Sequence, residues 1–161
     1  MSAIASAFVL PASDLAELVR SAAPQRRFLG GVRDLYPKTL ARLSASVPDF
    51  EGSGWILNTV LPFLKERGAD LLTGAHEQEA GAIASARGEA MVLILDSKHR
   101  DAHLQSLREA RFSEAELENY YREFNETDPR GAGAAMQLGI DWLVMLLERL
   151  EMGRVAVVNV G

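Results

Sequence analysis

His99 and His103 stand four residues apart in a stretch with helical patterning, which brings both imidazoles to one face of a helix. Two such histidines hold a divalent cation once a third ligand arrives. That ligand would have to come from Asp96, His76 or Glu77. The neighbours Lys98, Arg100, Asp101 and Gln105 instead describe a solvated helix end, where histidines are common. We therefore assign no metal and no cofactor, and His76, His99 and His103 stand only as the candidates to be placed. His76-Glu77-Gln78-Glu79-Ala80 is half of a zinc-protease helix, but alanine occupies the position where the second histidine is required. No Gly-x-Ser-x-Gly elbow and no phosphate loop occurs. No catalytic residue is assigned, and the reading leans away from an enzyme.

A different chemistry is offered by Tyr120, Tyr121 and Phe124, which fall on one helix among Glu114, Glu116, Glu118, Glu123, Glu126 and Asp128. Such a cluster is either core with a half-exposed tyrosine or a protein-binding surface, because tyrosines are enriched at interface centres. Tyr120, Tyr121, Glu123 and Glu126 are the binding residues the sequence suggests.

The chain of 161 residues is 48% hydrophobic and 24% charged, which suits one domain with one core over residues 1–161. It has no cysteine, so disulfides, thiolate metal sites and thiol nucleophiles are excluded, and a reducing, cytoplasmic compartment fits. The net charge of −5 argues against nucleic acid as a partner. Six basic and three acidic residues precede position 46, whereas eleven basic face nineteen acidic residues from there on. An acidic face able to dock a basic protein is one reading of that asymmetry. No run reaches the ~20 apolar residues of a membrane helix.

These side chains must be held by a mainly helical α+β domain with about three strands: N-terminal, central and C-terminal. Ala3–Leu10 reads as a strand rather than a signal-peptide core, and Ser13 as the cap of a helix reaching about Ala22. Gln25–Ser46 reads as two short helices split at Pro37, with Phe28, Leu29 and Gly30-Gly31 in the first. Trp55 to Leu64 is an aromatic-aliphatic helix in which Pro62 marks a kink or a new first turn. A helix from about 76 to 86 precedes Ala90–Leu95, a continuous apolar run typical of a buried strand. Asp96 or Ser97 caps the next helix, and Ser113-Glu114-Ala115-Glu116 is a capping box opening another. The helix from about Gly133 to Glu151 is apolar on most sides, so it is either the centre of the core or a homodimer surface. Val155–Val160 closes the sheet. Trp55, Ile94, Trp142, Leu143 and Leu147 are the expected core.

The order of these elements resembles the YfbM-like bacterial family of unknown function over most of the chain. The resemblance is carried by Ile4 and Phe8 in the first strand, the Trp55 helix, Phe112-Ser113-Glu114-Ala115-Glu116-Leu117, and the closing Val-Ala-Val-Val-Asn-Val-Gly. Family members place Leu-Thr-Gly shortly after the tryptophan helix, whereas here Leu72-Thr73-Gly74 lies well past Trp55. The family has no established activity, so the resemblance implies a fold and no catalytic residue. A non-enzymatic protein that binds another protein, of an immunity or regulatory type, is the function expected. The alternative is a small enzyme or ligand-binding domain assembled from dispersed histidines and carboxylates.

Overall fold

The computed structural model describes residues 3–26, 32–128 and 130–161. Strand β1 (Ala5–Pro11) leads through a 3-10 turn into helix α1 (Leu15–Ala22). A two-residue ladder, β2 (Gln25–Arg26) with β3 (Val32–Arg33), precedes helix α2 (Tyr36–Leu43) and the short strand β4 (Ala45–Ser46). Helix α3 (Leu57–Glu66) follows a 3-10 turn at Gly54–Ile56, and α4 (Glu77–Arg87) leads to strand β5 (Met91–Asp96). Helices α5 (Ser97–Glu109), α6 (Glu114–Asn125) and α7 (Ala132–Glu148) then run to the last strand, β6 (Arg154–Val160).

The sheet has the order β4-β1-β6-β5, antiparallel throughout. The three expected strands are its body, and β4 adds two residues at one edge. Side chains alternate across a strand, and helices cover both faces. Ala5, Ala7, Val9, Leu93, Leu95, Ala156 and Val158 share a core with α3 and α7. Leu10, Ile94, Val155 and Val157 share the other with Leu15, Leu18, Tyr36, Leu40 and Ile83. This double cover explains why the β5 and β6 sequences are apolar without alternation: neither strand has a solvent face.

Helix α7 is the centre of the first core. Met136, Ile140, Leu143, Leu146 and Leu147 are buried, and Leu138 is its one large apolar side chain that is mostly exposed. Trp142 is buried as well, and its indole N–H donates to the Pro48 carbonyl at 2.8 Å. The apolar breadth of this helix is thus used within the chain, between α3, α5 and α6.

Three expectations are corrected. Trp55 is 46% exposed rather than core, because it lies in the 3-10 turn before α3, whose tighter winding takes it off the buried stripe of Ile56, Leu57 and Val60. Ser13 caps nothing; its hydroxyl donates to Asp14 Oδ1 at 3.3 Å within the 3-10 turn. Among the described residues of Gln25–Ser46 there is one helix, and Pro37 sits in its first turn, where a missing N–H costs nothing, rather than between two helices. Phe28, Leu29, Gly30 and Gly31 lie outside the described residues. Of the two readings of Pro62, a kink or the first turn of a new helix, the second does not hold: α3 runs through Pro62 as a single element. Among the described residues no helix is long and apolar enough to cross a membrane.

Candidate functional site

Helix α6 starts at Ser113, whose hydroxyl accepts from the Glu116 amide at 3.2 Å. The Glu116 carboxylate does not complete the capping box; it pairs at 2.7 Å with Arg67, the residue that follows α3. Leu117 is buried and fixes the helix against the core. One turn later Tyr120 is tied to α3: its hydroxyl donates to Glu66 Oε1 at 2.9 Å and its ring lies edge-on to Phe63 at 5.0 Å. Phe124 stacks on its other side at 5.8 Å. Burial and the Glu66 carboxylate push the Tyr120 phenol up to about 12.

Tyr121 is rotated by about 100° from Tyr120, as the helical period requires, and lines a separate cleft of about 310 Å³. Trp55, Thr59, Asn125 and the first turn of α7 form the rest of its wall, with Asp128 and Arg130 also lining it. Asn125 Nδ2 donates to Thr59 Oγ1 at 3.0 Å, which closes the floor of the cleft between α6 and α3. Glu123 and Glu126 are exposed, and among the described residues neither has an ion-pair partner within 4.0 Å. Glu126 ends the helix in the left-handed region at φ 52°. The four residues singled out from sequence therefore share one helix but not one patch. Tyr120 belongs to the α3 seam and Tyr121 to the cleft with Trp55. That cleft was missed because Trp55 reads as core on its apolar neighbours alone.

The histidines also separate. His99 is no solvated helix residue: it is 6% exposed and completes a capping box. The Asp96 carboxylate accepts from the amides of Lys98 and His99, while His99 Nδ1 lies 2.8 Å from Asp96 Oδ1. Its Nε2 reaches the Thr73 carbonyl at 3.1 Å. Gly74 passes so close that a Cβ there would lie 2.5 Å from the ring carbon Cε1. Burial raises the Asp96 carboxyl, but the His99 amide and imidazole together with the Lys98 amide outweigh it and hold the group below its ordinary value. His103 is half-buried further along α5, and His76 precedes α4 with its Nδ1 buried and without a hydrogen-bond partner. Among the described residues no three His, Asp or Glu side chains converge as a metal would need.

No protein-family model matches the chain, and no curated protein does either. Among solved structures it is similar to the crystal structure of YfbM from Escherichia coli, a protein of unknown function. The TM-score is 0.51 and the identity 15%, over 98% of this chain and 99% of that one. Likeness across nearly the full length of both chains, at so low an identity, establishes that this α+β sandwich has the fold of YfbM.

Proposed function

We propose that the protein acts by binding another protein, without catalysis, through the end of α6 that carries Tyr121 beside Trp55. The observation that supports this best is the exposure of Trp55, a large aromatic at the mouth of a shallow cleft next to a second aromatic. Tryptophan and tyrosine dominate the binding energy of protein interfaces because each removes a large apolar area from water while keeping one polar atom satisfied. Glu123 and Glu126, exposed on the same end of α6, suit a partner whose contact surface is basic. Regulation or occlusion of such a partner is the role this arrangement fits.

The test is kinetic, on a partner captured with the intact protein. Reversing Glu123 and Glu126 to lysine slows association and flattens its salt dependence. Tyr121→Ala and Trp55→Ala leave association nearly unchanged and speed dissociation, each by about tenfold or more. Unchanged kinetics in all of these variants, with melting temperatures intact, would remove this surface as the contact.

A further inference from the structure

Ile4 and Gly161 exchange both backbone hydrogen bonds, at 2.9 and 3.2 Å. In an antiparallel ladder residues alternate in which neighbour they bond, so this pair sets the phase of the whole sheet. Along β6, Val155, Val157 and Asn159 turn their amides to β1, and Ala156, Val158 and Val160 turn theirs to β5. Through the register Met91↔Val160, Leu93↔Val158 and Leu95↔Ala156, it is Met91, Leu93 and Leu95 that bond to β6. The N–H and C=O groups of Val92 and Ile94 therefore point away from the sheet. Among the described residues no hydrogen bond reaches them.

The two edges of the sheet are treated differently. Along the outer side of β1 the chain from Val47 to Gly54 donates from Val47 to Ala7, from Phe50 to Ala5 and from Gly54 to Ala3, at 3.4, 3.1 and 2.8 Å. Among the described residues the edge of β5 has no such cover. Instead a groove of about 260 Å³ runs there, lined by all four residues from Met91 to Ile94. Successive strand side chains point to opposite faces, so a cavity touching four in a row follows the strand's edge rather than either face. Ala80 and His76 form one wall and Leu72 and Gly74 the other.

The Leu72–Gly74 wall is held in place from three sides. Asp70 accepts from the amides of Leu72 and Thr73 at 3.0 and 3.2 Å, Glu77 accepts from the Gly74 amide at 2.9 Å, and His99 reaches the Thr73 carbonyl. The groove is thus preformed, which lowers the ordering cost of filling it. Unpaired donors and acceptors repeating every second residue are matched by only one common chemistry, an extended polypeptide.

The geometry points to the β5 edge as a docking site for an extended, mainly apolar peptide segment of a partner protein, which adds as a further strand beside Val92 and Ile94. Glu77 lines the groove, among the described residues no lysine or arginine does, and His76 Nδ1 lies buried without a hydrogen-bond partner, 3.8 Å from Glu79 Oε1, so the segment carries a basic or hydrogen-bonding side chain. A second copy of this chain is a poor occupant, because its own β5 edge is recessed between the same two walls. The site is separate from the α6 surface and stands without it.

The probe is a random peptide library selected against the intact protein, with the enriched peptides then made synthetically. Val92→Pro removes only the outward N–H and leaves the β5–β6 ladder bonded, since proline is tolerated at a strand edge. Gly81→Leu fills the groove from α4, where an added Cβ meets nothing within 4 Å. The expected result is enrichment of apolar, β-prone peptides that protect the Val92 and Ile94 amides from hydrogen exchange. Binding weakens about tenfold in Val92→Pro, as loss of a backbone hydrogen bond at a filled edge implies, weakens similarly in Gly81→Leu, and is unchanged in Tyr121→Ala. The proposal is overturned if no peptide is enriched, if bound peptides leave both amides exchanging as before, or if both groove variants bind as tightly as the parent. It is equally overturned if those amides become protected by dimerisation of the protein alone.

Discussion

The imidazole of His99 closes back onto the carboxylate of Asp96, Nδ1 to Oδ1 at 2.8 Å, three residues earlier in the chain. With the other ring nitrogen on Thr73, this pair pins the start of α5 to the loop before α4. Asp96→Ala removes the cap and one partner of the buried ring, so it is expected to lower stability by about 1–3 kcal/mol in urea melts. His99→Ala is expected to fall in the same range. The pH dependence has a defined sign: the folded carboxyl titrates below its ordinary value of 3.8, so its contribution is complete above that pH and is lost as the pH falls through the lower folded value. In Asp96→Ala that part of the acid sensitivity disappears. A substitution at either position that leaves the urea midpoint unmoved would show that the pair is idle.

Tyr120 supplies an alkaline counterpart. Burial first, and the Glu66 carboxylate second, raise its phenol from 10.0 to about 12. A raised acid contributes stability that is present below pH 10 and lost as the pH climbs through 12. Ultraviolet titration should show two of the three tyrosines ionising late: Tyr36, whose phenol burial also raises, and Tyr120, whose step lies near 12. Glu66→Gln should move that step towards the ordinary range; an unmoved step would leave burial as the sole cause.

Two leucines of α7 separate packing from helix propensity. Leu147 is fully buried and Leu147→Ala is expected to cost about 2–5 kcal/mol as a cavity-forming change. Leu138 is 53% exposed, and Leu138→Ala should stay within roughly 0.5 kcal/mol. Denaturant midpoints that rank the two the other way would mean the helix is rotated from the orientation described.

Glycines make a sharper contrast. A Cβ at Gly133 would lie 2.7 Å from the Glu114 carbonyl oxygen, so Gly133→Ala must force α7 away from α6 and is expected to cost about 1–3 kcal/mol. Gly81 lies inside α4 with open space where its side chain would be, and Gly81→Ala should add roughly 0.5–1 kcal/mol. Thermal melts of the two single variants shifting in opposite directions is the expected outcome; equal shifts would contradict the α6–α7 contact.

Most of the fold was legible because long apolar patterns specify it: β5, β6 and α7 could be placed from periodicity and continuity alone. What was lost lay at element starts. Trp55 has the composition of a core residue, but a three-residue 3-10 turn changes which way it faces, and no periodicity reports that. His99 sits among charged neighbours and so reads as surface. Its signal was the spacing Asp96-x-x-His99, a capping box with histidine in the usual place of glutamate or glutamine. Of the four binding candidates, sequence placed all on one helix, yet their division between the α3 seam and the Trp55 cleft depends on what packs beside α6.

Strand β6 is the middle of the sheet, bonded to β1 on one side and β5 on the other, with Ala5 facing Val160 from the far end of the chain. In the four-stranded sheet no two neighbouring strands follow one another directly in sequence, so each of its ladders waits on a long loop closure. The helices can form as local units, but β1 and β5 share no partner until residues 154–160 arrive between them. Folding is accordingly governed by a late, non-local event and belongs with slow, high-contact-order domains. Until that last strand is in place, β1 and β5 remain open edges exposed to other chains, so the interval before β6 inserts is when the molecule is most prone to aggregate.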